Sequence, residues 1–223
     1  MRRALSLLFL AVLLAGCGSS GTKDNGEAAK TAAQVVADAK AASMAAATVH
    51  ISGVGTTSGQ PLKLDLFLVA GKGGRGMLTV NGLTFQIVRV GNSAYFKGDS
   101  TFWRNFGGAA AAELLQGRWL EAPANAGRFS AFTPLTDIGK LFTALFALKD
   151  SIRNEGRTTL DGVSVVAIKD TTNAGTLYVA ASGTPYPVAI RQNGQGKLKF
   201  DAWNGAVTLA APKRPVKIAS LTG

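Results

Sequence analysis

The chain has 223 residues, 47% hydrophobic and 17% charged, and its 24 Lys+Arg against 13 Asp+Glu give a formal charge of +11. That apolar share excludes wholesale disorder, and no run reaches the roughly 18 apolar residues of a membrane-spanning helix. With one His and one Cys, disulfide frameworks, zinc fingers and Cys/His clusters are excluded, no metal or cofactor is expected, and a Ser-His-Asp triad would have to use His50.

Met1-Arg2-Arg3 is a short basic head, followed by a largely apolar stretch over residues 4–15 and then Gly16-Cys17. This stretch is too short to span a bilayer and has the length, basic flank and small-residue exit of a secretory signal, predicted here as residues 1–16. Leu14-Ala15-Gly16-Cys17 resembles a bacterial lipobox. The resemblance implies that Cys17 carries a diacylglyceryl group and that the preceding chain is removed. Two acyl chains anchor stably where one does not, so the mature chain is expected on the outer, extracytoplasmic face of the cell membrane. Loss of Arg2 and Arg3 leaves 22 basic residues against 13 acidic ones. In that compartment the basic partners are anionic lipid surfaces and acidic glycans, and nucleic acid is excluded.

Residues 17–26 combine lipidated Cys17 with a polar, glycine-rich tether, and residues 27–223 are expected to form one domain. Ala29, Ala32, Val36 and Ala39 recur at helical spacing within an alanine-rich helix predicted over 27–47. From Thr48 the period becomes two. Leu62, Leu64, Leu66 and Leu68 alternate with Lys63, Asp65, Phe67 and Val69 to give a strand with one strongly apolar face. Asn81-Gly82 marks a hairpin between strands at 77–80 and 83–90, and Gly91-Asn92 turns into a strand at 93–97. Residues 49–97 thus read as four or five antiparallel strands. Helices are predicted over 100–115 and 134–148, the second with Leu135, Ile138, Leu141, Phe142, Leu145 and Phe146 in one wide stripe, and residues 121–132 form a loop between them. Strands return at 163–169, 176–181, 188–192 and 197–203 and finish near 207–209, with turns at Asp161-Gly162, Asn193-Gly194 and Asn204-Gly205. The layout is α+β, a large antiparallel sheet with helices gathered on one side.

Three local patterns carry a wider likeness: Ala94-Tyr95-Phe96 followed by Trp103; Glu155-Gly156-Arg157 leading to Leu160-Asp161-Gly162; and PVAIRQNGQG at 187–196 followed by Lys199-Phe200-Asp201-Ala202-Trp203. Behind a lipobox, this order of parts resembles the mycobacterial-type lipoproteins related to LppX and LprG, themselves similar in fold to the LolA/LolB carriers. The likeness spans about residues 40–215. It implies a curved antiparallel half-barrel sheet closed by helices around an apolar cavity for acyl chains. On that reading the cavity wall is formed by Leu62, Leu64, Leu66, Leu68, Phe85, Ile87, Phe96, Phe102, Phe106, Leu141, Leu145, Val163 and Val165. Phe129 and Phe132 lie over the mouth, and Arg118 and Arg128 hold an anionic headgroup at the rim. The implied function is binding of acyl lipids or lipoglycans and assistance in their transfer through the cell envelope, as a monomer, with a membrane transporter as a further partner. Two alternatives stand beside it. The same apolar residues can make a closed, packed core, and the protein can act as a scaffold or sensor through protein contacts.

Chemistry-bearing patterns are few. His50 opens a strand as Thr48-Val49-His50-Ile51, and no G-x-S-x-G supplies a nucleophile, so it reads as a surface or edge residue. The glycine-rich basic run at 71–76 lies between two strands, where a phosphate cradle needs a following helix, and reads as a hairpin loop. No catalytic activity is expected. From Arg191 onward, Lys197, Lys199, Lys213, Arg214 and Lys217 outnumber Asp201, either as a solvated sheet face and tail or as a patch facing headgroups.

Overall fold

Apolar alternation from residue 48 onward folds the chain into one curved, unclosed sheet of twelve strands with helices on one side. The computed structural model describes residues 23–57, 59–125, 127–147, 151–172, 174–194 and 196–218. The predicted signal peptide and Cys17 lie outside the described residues. A first meander comprises β1 (Thr48–Thr57), β2 (Gln60–Val69), β3 (Gly73–Val80), β4 (Leu83–Val90), β5 (Ser93–Gly98) and β6 (Leu120–Pro123). A second comprises β7 (Ile152–Leu160), β8 (Val163–Asp170), β9 (Gly175–Ala180), β10 (Pro187–Gln192) and β11 (Gly196–Asp201). The two meanders join where β1 pairs antiparallel with β11, His50 opposite Asp201 and Val54 opposite Lys197. The strand order is β12-β6-β5-β4-β3-β2-β1-β11-β10-β9-β8-β7, with β12 at Val216–Lys217.

The hairpin between β3 and β4 turns on Asn81 (φ 49°) and Gly82 (φ 79°), left-handed at both positions as a two-residue hairpin of the right twist requires. Gly76 lies inside β3 at φ 156°, and a Cβ there would stand 2.0 Å from the Asp65 carbonyl oxygen of β2. Only glycine lets the two backbones approach so closely, a use of strand glycine that accompanies sheet curvature.

Helix α1 (Ala32–Ala45) starts with a capping box, in which Thr31 accepts from the Gln34 amide and the Gln34 side chain accepts from the Thr31 amide. It buries Val35 and Ala39 and packs on α3 (Ile138–Leu145), whose N-terminus is capped by Asp137. Helix α2 (Ser100–Leu115), capped by Asp99, is broken at Gly108 (φ 85°).

The sheet is mixed, because β12 pairs parallel with β6, whereas a purely antiparallel sheet was expected. Residues 121–132 are not a free loop: β6 takes the first of them and a 3-10 helix spans Gly127–Thr136. With Pro134 inside that tighter segment, the α-helix expected from 134 begins at Ile138. No strand forms at 207–209. The whole of β7 was missed; its IRNEGRTTL sequence is polar because the strand lies at the sheet edge, where little of it is covered.

Candidate functional site

The register places one apolar row across eight strands on the helix-covered face. Ile168, Leu177, Ile190, Leu198, Gly53, Leu64, Leu78 and Phe85 stand opposite one another from β8 to β4. Beside it run Phe200, Ile51, Leu66, Gly76, Ile87 and Phe96. Helices and the 127–136 segment cover this concave side, but they fill its two halves differently.

Over β3 to β6 the filling is aromatic. The Phe85 ring lies 4.7 Å from that of Phe102 and 4.8 Å from that of Phe132, and Phe102 meets Trp103 at 4.8 Å and Phe106 at 5.2 Å. Leu62, Leu64, Leu66, Leu68, Ile87, Phe96 and Leu141 are buried in the same continuous core. Arg89 shares the concave face with Phe85 and Ile87 and pins the covering segment down. Its guanidinium donates to Thr136 Oγ1 at 2.9 Å, to the Thr136 carbonyl at 2.8 Å and to Asp137 Oδ2 at 3.1 Å.

Over β7 to β10 the covering is incomplete. The end of α3 and the strands beneath it leave a cleft of about 310 Å³, walled by Leu145, Phe146, Ile152, Ile168, Leu177 and Ile190. Asp170 and Gln192 supply its polar border, at the ends of β8 and β10. An apolar hollow with a few polar groups at one side is the usual form of a small-molecule site, and this one stands at the lower edge of the roughly 300–1,000 Å³ such sites span.

Of the residues expected on a cavity wall, Leu145 borders this cleft. Val163 and Val165 do not stand on the concave face: Val163 is 44% exposed, and Val165 belongs to a separate small cluster with Leu160, Ala189, Tyr178 and Val188. The sequence VSVVAIKD of β8 is apolar at both parities, so alternation alone did not choose its inner face, which is that of Val166 and Ile168. Phe132 is packed among the rings of Phe85, Phe96 and Phe106 as part of the core. Arg118 is exposed just after α2 and turns back to the Leu114 carbonyl at 3.5 Å. The side chains of Arg128 and Phe129 lie outside the described residues.

At the opposite end of β9 the N-terminal segment docks. Asp24 bridges to Ser182, the Asn25 amide donates to the Ala181 carbonyl at 3.2 Å, and its side chain donates to the Ala180 carbonyl at 2.8 Å. The Asp24 carboxylate accepts from the Gly26 amide and pairs with Arg157, and these contacts hold its pKa below the ordinary carboxylate value.

His50 stands on the convex face. Its Nδ1 is 2.6 Å from Asp201 Oδ1, its Nε2 is 3.2 Å from Asp65 Oδ1, and its ring stacks on Phe67 at 4.3 Å. Both nitrogens face carboxylates, so neither is turned toward a hydroxyl nucleophile.

Neither a protein-family model nor a curated protein sequence matches this chain. Among solved structures, it is similar to lipoprotein LppX of Mycobacterium tuberculosis at 18% identity and a TM-score of 0.49, over 84% of this chain and 100% of that one. It is similar to LprF of Mycobacterium bovis at 16% identity and a TM-score of 0.57, over 86% of this chain and 99% of that one. The chain therefore has the α+β fold of LprF, carried through nearly the whole of that structure.

Proposed function

We propose that this chain is an exported lipoprotein, anchored through acylated Cys17, that takes an acyl chain of a lipid or lipoglycan into the concave-side cleft and assists its transfer through the cell envelope. The observation that carries this reading is the 310 Å³ cleft with its wall of Leu145, Phe146, Ile152, Ile168, Leu177 and Ile190. Each methylene moved from water into such a wall gains about 0.8 kcal/mol, so affinity is supplied by chain length and needs no charged contact in the wall. Asp170 and Gln192 stand where the polar end of the ligand would leave the apolar wall. The hydrophobic effect is non-directional, so a chain held this way can slide out as it slid in, which suits a carrier. In this reading residues 1–16 are removed, residues 17–26 carry the anchor and tether, and residues 27–223 are one non-catalytic domain on the extracytoplasmic face of the membrane.

The test is mass spectrometry of organic extracts from the purified protein, alongside the Ile190→Glu variant. Acyl lipid recovered from the wild type and lost from the variant supports the reading. Extracts without lipid, together with stable association with another envelope protein, would place the chain among scaffolds instead.

A further inference from the structure

The convex face of the same sheet carries a row of cations in register. Lys63 of β2 stands opposite Val54 of β1, Val54 opposite Lys197 of β11, and Lys197 opposite Arg191 of β10. Arg191 in turn stands opposite Thr176 of β9, Thr176 opposite Lys169 of β8, and Lys169 opposite Arg153 of β7. One line across seven strands thus holds five basic side chains, all exposed. At the usual spacing of about 4.8 Å between strands the row is roughly 29 Å long.

Like charges directly opposite one another destabilise a strand pair, and this row has two such pairs, Lys197 with Arg191 and Lys169 with Arg153. Intramolecular relief is partial. Glu155 takes Arg153 at 2.7 Å and Asp161 takes Arg191 at 3.4 Å, whereas Lys63, Lys169 and Lys197 form no ion pair among the described residues. Shallow grooves run along the middle of the row. One of about 570 Å³ includes Lys169, Arg191 and Arg157 with Glu155, Thr176 and Tyr178, and a second of about 210 Å³ includes Arg191, Lys197 and Lys199 with Asp161. The two share Arg191, so they follow the row from one strand to the next.

We infer that this row is a binding track for a linear polyanion, a polymer whose phosphate, sulfate or carboxylate groups repeat along a flexible chain. Curvature selects the partner. The row runs across the strands, along the bend of the sheet, so a flat anionic bilayer touches its crest and leaves both ends in solvent. A flexible chain follows the bend and meets the cations in turn.

The experiment measures binding of the Cys17→Ser protein, which cannot carry the acyl anchor, to long-chain inorganic polyphosphate, to dextran sulfate, to neutral dextran and to vesicles containing anionic lipid, between about 50 and 200 mM salt. The triple variant Lys63→Gln, Lys169→Gln, Lys197→Gln is compared with Lys72→Gln, Lys140→Gln, Lys213→Gln, which removes equal charge elsewhere. Both polyanions should bind and neutral dextran should not. For a flexible polyanion, five contacts give a slope of log affinity against log salt near −3.5, falling to about −1.5 when three are removed. Affinity in the row variant should drop at least about tenfold, while the control variant keeps most of it. Thermal unfolding, measured in parallel, should show the row variant as stable as the wild type or more so, since it removes opposed like charges. Equal loss in both triple variants would reduce the effect to net charge and overturn the track. So would absence of binding at the lower salt, or vesicles binding as tightly as the polymers.

Discussion

Arg89 illustrates how much one side chain can hold when its partners are buried. It stands between Gly74 and Ala94 in the strand register, two small residues that leave room for the guanidinium on an otherwise apolar face. Its hydrogen bonds reach Thr136, which is buried, and Asp137, which caps α3, so one cation fixes both the 3-10 segment and the start of the helix. Removing it strands a buried carbonyl, and Arg89→Ala is expected to cost about 2–4 kcal/mol, read as a lower urea midpoint. A cost below about 0.5 kcal/mol would show that the segment is held by its phenylalanines alone. On the convex face, burial pushes the Asp201 carboxyl up, but hydrogen bonds from Lys199 at 2.9 Å and from His50 outweigh it, and the net shift is downward from 3.8. A carboxyl whose folded pKa is lowered stabilises the fold above its unfolded pKa and loses that contribution as pH falls through the folded value. Wild type should therefore exceed Asp201→Asn in thermal stability at neutral pH, by about 1 kcal/mol or less for so exposed a group. The gap should close below about pH 4. A gap that persists at pH 2 would mean that Asp201 acts through neutral hydrogen bonds.

At the scale of elements, legibility followed how sharply each segment separates its two faces. From residue 62 to residue 69 of β2 every second residue is a buried leucine and every other one is polar or partly exposed, so strand, face and core membership were all readable. In β8, valines and an isoleucine occur at both parities, and the inner face was misassigned because the outer one buries Val165 in its own small cluster. Edge strand β7 gave no apolar signal, and the 127–136 segment gave a mixed one, since its ordering depends on Arg89 and on the Phe132 ring rather than on local propensity. The cleft was illegible for the same reason: its wall is built from β7 to β10 and the end of α3, and which face of each strand looks inward is settled only by pairing across the sheet. A matched pair of variants tests that assignment. Ile190→Glu places a charge in the cleft wall and should abolish recovery of bound lipid, whereas Val163→Asp, on the exposed convex side, should leave lipid recovery intact and stability within about 0.5 kcal/mol. Loss of lipid in both would mean that the cleft is not the binding site.

Across the whole molecule, β9 links the cleft to the docked N-terminal segment, the two ends that matter if the chain is a tethered carrier. Its first residue, Gly175, borders the cleft, and the residues just past its other end hold the incoming N-terminal segment at Ala181 and Ser182. From Gly175 to Ser182 the strand path covers about 23 Å. The tether from Cys17 to Lys23 reaches at most about 22 Å when fully extended. Anchored through Cys17, the domain would thus sit with the Ser182 end toward the bilayer and the cleft border of Asp170 and Gln192 turned away from it, toward whatever donates or receives lipid on the far side. Because Cys17 is the sole native cysteine and is consumed by the anchor in this reading, single labels can be introduced elsewhere without interference. A fluorophore on Thr184→Cys should be quenched strongly by quenchers attached to lipid headgroups in reconstituted membranes, and one on Gln192→Cys only weakly. Lengthening the tether with a Gly/Ser insertion after Gly21 should weaken the contrast as the domain gains freedom to tip. Equal quenching at both positions with the native tether would show that the cleft faces its own membrane, and ligand would then enter from the anchoring bilayer rather than from across the envelope.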